Sequence, residues 1–372
     1  MRDMLSDKGL LADLSEYISE DQLLHCVETA YTTSDGIVAL PFFMRLSTLV
    51  TTQFTLSSRT KLTREVLYEM AANLKPGEAL FAEDVYTNLK TIGQYDFLDL
   101  ESETCSFDSA EYTEYLEFLL QLKDGAYTDE DLQVLYYETY GSDYCQEYCL
   151  LSMDATDIIN QNRLKFVSMD LYTVNSISAM LLCFSGQNIN YCGYPSDEGT
   201  AVLLSSDAMF SMSAQAVNVE GAAAFMQYLL SDEIQTCSRV KTFGLPVSRS
   251  AMEEVFPVGY IYYCVGTPSR IITEDRWIAY HPEAVVLKYK YTSESWSVEE
   301  KESNNVFASV RVTEDDRDLF IRFLDRAVVK TSSDTTLREI LDEEVSYVEA
   351  GIRSAAEGGR ILQDRVKIYL SE

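Results

Sequence analysis

This 372-residue chain has two histidines, His25 and His281, so imidazole has little to offer here as an acid–base catalyst or as a metal ligand. Positive charge is scarce: 29 Lys and Arg stand against 60 Asp and Glu, and the formal net charge of −31 repels phosphate backbones and anionic lipid. With no Lys/Arg cluster to offset that charge, nucleic-acid binding is excluded as a main role. Long hydrophobic runs are missing too. Ala179–Phe184 and Gly36–Phe43 are the most apolar stretches, and both fall far short of the roughly 20 residues that span a bilayer. The first residues, MRDMLSDKGLLADLSEYI, lack a basic start followed by an apolar core, so no export signal is visible in them. The spacings G-x-S-x-G, H-E-x-x-H and G-x-G-x-x-G and the P-loop do not occur. Eight cysteines are too few for a disulfide scaffold in a chain this long. Cys145 and Cys149 sit four apart, as on one helix face, and without further ligands they read as ordinary thiols.

What is present is enough apolar sequence, 47 %, to build about two domains with their own cores. Thr63 is placed to cap a helix with Val66, Leu67, Met70, Ala71 and Leu74 on one face, ended by Lys75-Pro76-Gly77. Ser109 caps another whose inner face is Tyr112, Tyr115, Leu116 and Leu119. Asn218 opens a third, in which Ala222, Phe225, Met226, Leu229 and Leu230 predict a buried stripe, and Ser231 is positioned to start a fourth. Thr336 with Glu339 and Ser354 with Glu357 have the spacing of capping boxes. Leu337, Leu341, Val345 and Val348 line the first of the helices that follow, and Ile361, Leu362, Val366 and Tyr369 belong to the second. Gly358 and Gly359 weaken that last helix by about 1 kcal/mol each relative to Ala. Ile37–Leu40 is a short strand that stops at Pro41, and YIYYCV and AVVLKYKYT predict strands between 256 and 312.

Several of these strings together resemble the extracellular solute-binding proteins of ABC importers, the broad family that includes maltose-binding protein. AAAFMQYLLSDEIQ leading into FGLPV is similar to that family's helix pair and turn. DGIVALP, FLDLESETCSFDSAEY, YCGYPSDEGT and the carboxyl-terminal EEVSYVEAGIRSAAEGGRILQDRVKIYLSE match further phrases in order. The resemblance covers most of 9–255 and 313–372, in four blocks, and departs at 256–312. It begins near KGLLADLSEYI, so by comparison with a full member the export signal and the opening βαβ units of the first lobe are absent.

The resemblance implies an α/β, two-lobed fold of the type II periplasmic-binding-protein kind with an incomplete first lobe. That lobe would hold residues 1–50 and 208–255, and the second 51–207 and 256–372, with crossings near 46–52, 205–212 and 252–260. It implies a binding protein and no enzyme, with no catalytic residues, cofactor or metal. The solute would be a sugar or oligosaccharide, and the partner an ABC permease. The protein would be a monomer outside the cell, lipid-anchored if an upstream signal exists. Expected ligand contacts are Phe43 and Arg45 after the first strand, Tyr95, Asp170 and Tyr172, Tyr194 in the Gly-Tyr-Pro loop, and Trp277 as a stacking platform. Twenty-five tyrosines suit a sugar site, since a ring stacks on a pyranose face while hydroxyls and carboxylates take its hydrogen bonds. Two alternatives stand beside this: a truncated or degenerate binding protein without a ligand, and a carbohydrate-active hydrolase using a pair among the 60 carboxylates.

Overall fold

The computed structural model describes residues 9–19, 21–33, 36–52, 61–100, 102–128, 130–132, 134, 163–184, 189–197, 199–266, 285–292, 295–298, 305–330 and 335–371, with the backbone alone at 182–183, 260–310 and 335. Trp277, Cys145, Cys149 and His281 lie outside the described residues.

A central sheet organises the chain. Its longest strand, β2 (Arg45–Thr52), follows a short strand, β1 (Leu40–Pro41), that ends where proline removes a ladder donor. β2 pairs antiparallel with β3 (Val167–Leu171) on one side. On its other side it pairs antiparallel with β4 (Ile189–Tyr191) and β5 (Ala201–Ser205). The short strand β11 (Val328–Val329) extends the sheet parallel to β5. Because β3 and β5 both run against β2, their carboxyl ends meet at its first residue: Leu171 faces Leu46 and Ser205 faces Arg45. β6 (Met209–Phe210) then pairs with β1, so the β2–β5 ribbon continues beyond the sheet after a break at 42–44 and 206–208.

Side chains leave the sheet on alternate faces, and each face buries its own apolar cluster. Leu46, Val50, Val167, Met169, Leu171, Val202 and Leu204 point to one side, while Leu49, Phe166 and Ala201 point to the other. The first face is covered by helices α1 (His25–Tyr31), α5 (Val174–Cys183), α6 (Val219–Leu229), α9 (Arg249–Val255) and α10 (Glu314–Arg326). The second is covered by α2 (Arg64–Ala72), α3 (Glu83–Gln94), α4 (Ala110–Gly125), α11 (Thr335–Glu349) and α12 (Ala355–Leu370). Helices on both faces of a mixed sheet define an α/β architecture. Each fully buried Leu or Phe in these clusters contributes about 1.5–3 kcal/mol of apolar transfer.

Local chemistry explains most helix starts. Thr63 accepts from the Val66 amide, Ser109 from Tyr112, Asn218 from Gly221 and Ser354 from Glu357, each satisfying an otherwise unpaired first-turn donor. Ser231 differs: its hydroxyl donates to the Tyr228 carbonyl, and the helix it precedes, α7 (Asp232–Gln235), is a single turn. Thr336 lies inside α11 and so is no cap. The stripe expected on α6 keeps Met226 and Leu230, with Ala222 packed at its edge, and loses Phe225. Ala223, Met226 and Leu230 are buried, whereas Phe225 is 60 % exposed, because the cluster beneath the helix meets the i, i+3, i+7 row beginning at 223.

The two strands expected between 256 and 312, β7 (Gly259–Gly266) and β8 (Val285–Thr292), join two that were not, β9 (Ser295–Val298) and β10 (Asn305–Val312), in a separate antiparallel sheet of order β7-β10-β8-β9. The glycines of α12 have a packing reason that propensity does not show. A Cβ on Gly359 would stand 2.5 Å from the Phe107 carbonyl oxygen, and one on Gly358 would strike the Val348 side chain.

Candidate functional site

Carboxyl ends of strands that run the same way are where open α/β sheets present loops to ligands. Here that place is the end of β3 and β5 beside the start of β2, at the break in the β1–β2 and β5–β6 ribbon. Phe42 donates to the Ala208 carbonyl across the break at 2.8 Å, and Met44 and Leu245 exchange two backbone bonds at 2.9 and 2.7 Å. These bonds draw in the segment after α8 (Ser238–Phe243), the FGLPV turn. Gly244 lets that turn close on Phe43, since any Cβ there would collide with the phenyl ring.

Arg45 is the hub of the resulting patch. Its Nη1 lies 2.6 Å from Asp207 Oδ2, and its Nε donates to the Phe243 carbonyl at 3.2 Å. The guanidinium carbon stands 5.8 Å from the centre of the Tyr172 ring and 5.9 Å from that of Phe43. Tyr172 in turn meets the Asp170 carboxylate; burial first, then that carboxylate's charge and hydrogen bond, hold the phenol above its ordinary pKa, with Arg45 opposing them. Tyr172 and Phe243 remain about half exposed, so the patch offers two open aromatic faces, one guanidinium and two carboxylates to solvent. That set can stack on an apolar ring face and exchange several hydrogen bonds.

Four of the seven expected contacts, Phe43, Arg45, Asp170 and Tyr172, therefore come together, with Phe43 itself 8 % exposed and supporting the guanidinium from below. Two others are elsewhere. Tyr95 ends α3 within the second apolar cluster, 9 % exposed. Tyr194 is wholly buried: its hydroxyl lies 2.9 Å from Ser47 Oγ and 2.9 Å from Ser168 Oγ, and it accepts from Asn88 Nδ2 at 2.8 Å. Burial pushes this phenol up to about 12. It ties β2 and β3 to α3 and faces no solvent. Its loop is tight because Gly193, at φ +70, brings the turn against the Ala201 carbonyl.

Asp207 and Phe243 were not expected. In the FGLPV turn residues 244–247 are buried while Phe243 is turned outward. Among the described residues no group of three or more His, Cys, Asp or Glu is placed to hold a metal ion. No helix among them is long and apolar enough to cross a membrane.

No family model matches the sequence, and no curated protein matches it either. Solved structures do match. The sugar-binding protein MalE of Xanthomonas citri superposes with a TM-score of 0.53 at 12 % identity, over 98 % of this chain and 80 % of its own. An extracellular solute-binding protein of family 1 from Alicyclobacillus acidocaldarius gives 0.51 at 12 %, covering 100 % and 82 %. The cyclic alpha-maltosyl-1,6-maltose binding protein of Arthrobacter globiformis gives 0.50 at 15 %, covering 99 % and 81 %. The fold is thus the α/β fold of two-lobed periplasmic solute-binding proteins. By their names these neighbours bind a sugar, a solute and a cyclic maltosyl-maltose.

Proposed function

We propose that this chain is the solute-binding component of an ABC importer, and that it captures a carbohydrate-like solute on the strand-end patch of Phe43, Arg45, Asp170 and Tyr172. The observation that carries the reading is the convergence of Tyr172, Phe243, Arg45, Asp170 and Asp207 at the carboxyl ends of β3 and β5, beside the break in the ribbon. A pyranose stacked on Tyr172 would leave its hydroxyls within reach of the two carboxylates and the guanidinium, the division of labour expected of a sugar site. The break at 42–44 and 206–208 is the place where two lobes would hinge and close on the solute. Delivery would be to a membrane permease, from a monomer outside the cell that is held by a lipid anchor if a signal lies upstream.

Differential scanning fluorimetry and calorimetry against monosaccharides and linear and cyclic oligosaccharides test this. At least one sugar should saturate with a micromolar Kd and raise the melting temperature, with no product formed on prolonged incubation. A panel without any binder refutes the solute-capture reading, and release of product refutes the non-catalytic one.

A further inference from the structure

Away from the strand ends, the described surface carries a groove of about 410 Å³ between α2 and α4, sharing no residue with the Arg45 patch. Its floor is apolar, with Leu80, Phe81 and Leu122 buried beneath it. Along α4 its wall is set by residues 114, 117–118, 121–122 and 125, a ladder at helical spacing that runs for about 16 Å at 1.5 Å per residue. The α2 wall contributes Tyr68, Ala71 and Ala72. One end is wide-walled, where Tyr68 and Phe118 pack with ring centres 4.1 Å apart. The other is narrow-walled, because Ala72, Gly125 and Ala126 present almost no side chain and let a third backbone approach closely.

Charge supplies the second half of the description. Glu114 and Glu117 line the groove and are exposed, Glu65 and Glu69 are exposed on α2, and no lysine or arginine is among the lining residues. The Tyr68 hydroxyl feels both sides, its pKa pushed up to about 12 by burial first, with Glu114 and Glu65 adding to the shift and Arg64 opposing it. A three-turn apolar trough with small residues at one end and carboxylates on its rim has the form of a helix-in-groove receptor. We infer that this groove is a docking surface for an amphipathic helix of a partner protein, one whose apolar i, i+3/i+4, i+7 stripe is flanked by lysine or arginine. The small residues and the ladder length fix a helix as occupant, and the rim fixes its sign.

The bulk acidity of the chain would attract any polycation, so the test must separate groove from charge. A fluorescein-labelled 15-residue Leu/Lys amphipathic helix is titrated by anisotropy into wild type, Ala72→Trp, Glu117→Lys and the double variant E114Q/E117Q, with a Leu/Glu helix of the same pattern as control. Ala72 is exposed, so the indole fills the trough without entering the core, and far-UV circular dichroism confirms each fold. The Leu/Lys helix should bind wild type and the Leu/Glu helix should not. Ala72→Trp should weaken binding at least tenfold, about 1.4 kcal/mol, although it changes no charge. The two rim variants should weaken it several-fold and flatten its salt dependence. Equal binding to wild type and Ala72→Trp, or no binding to wild type at low salt, overturns the assignment.

Discussion

Gly359→Ala separates packing from propensity because the two predict opposite signs. In a helix interior, alanine is favoured over glycine by about 1 kcal/mol, so α12 taken alone should gain stability. The tertiary structure says otherwise. The new methyl would stand 2.5 Å from the Phe107 carbonyl oxygen and 3.2 Å from Tyr112 Cδ1, and must retreat by most of an ångström to reach an ordinary contact near 3.5 Å. Neither neighbour is free to yield. Gln363 of α12 clamps the Phe107 turn to the helix, its Oε1 accepting from the Phe107 amide at 2.6 Å while its Nε2 donates to the Cys105 carbonyl at 2.8 Å. Tyr112 is fully buried between Phe97 and Phe107. Overpacking against backbone that cannot yield falls in the upper part of the usual range, about 2–3 kcal/mol, and after the propensity gain a net loss of about 1–2 kcal/mol remains. Urea unfolding followed at 222 nm should show a midpoint lowered by about 0.5 M for an m-value near 3 kcal/mol/M. Gly358→Ala meets a single valine methyl instead of backbone, and its loss should be smaller. A Gly359→Ala protein as stable as wild type, or more so, would refute the close seating of α12 on the Phe107 segment.

Two further variants probe buried polar groups. Asp96 has no exposed side-chain surface, with Lys330 Nζ 3.2 Å from one oxygen and Arg64 Nε 3.9 Å from the other; burial holds its pKa above the ordinary value, with Lys330 and Arg64 opposing. Removing one cation in Lys330→Met should cost about 3 kcal/mol at pH 7. Without Lys330 the variant's Asp96 loses a cation that opposes burial, so its folded pKa rises further above the unfolded one than in wild type; protonation then relieves the variant first, and the gap to wild type should narrow in urea titrations between pH 7 and pH 5. A gap that is constant or widens with acid would contradict this. Tyr194→Phe leaves Ser47, Ser168 and Asn88 without their shared partner and should cost about 1–3 kcal/mol, while calorimetry shows solute affinity within about twofold of wild type. A large loss of affinity with unchanged stability would return Tyr194 to the binding site.

The parts of the fold that were legible in the sequence are those set by neighbours a few residues apart. The caps at Thr63, Ser109 and Asn218 and the inner faces of α4 and α11 follow from spacing alone. Two of the four strands of 259–312, β7 and β8, follow from β-branched and aromatic runs. Phe225 misled because a helix with apolar residues at both 222 and 223 supports two stripes, and only the cluster beneath it chooses between them. The glycines of α12 read as a weakness because their partners, Phe107 and Val348, are remote in sequence or on another helix.

The site was half legible. Phe43, Arg45, Asp170 and Tyr172 stand at strand ends that alternation and turn residues mark. Asp207 and Phe243 join them only through pairings 162 and 198 residues away from Arg45, which no local pattern records. Tyr194 carried the glycine-rich context of a ligand loop, but the same tight turn that glycine permits here drives the ring inward onto Ser47 and Ser168.

The most direct test of solute capture on the strand-end patch is a calorimetric titration of one sugar into three proteins: wild type, Tyr172→Ala and Tyr228→Ala. The two tyrosines are equally exposed, at 49 % and 48 %, but only Tyr172 stands beside Arg45. Loss of a stacking ring should weaken binding at least tenfold in Tyr172→Ala, about 1.4 kcal/mol, and leave Tyr228→Ala unchanged. Equal affinity in wild type and Tyr172→Ala would contradict the account.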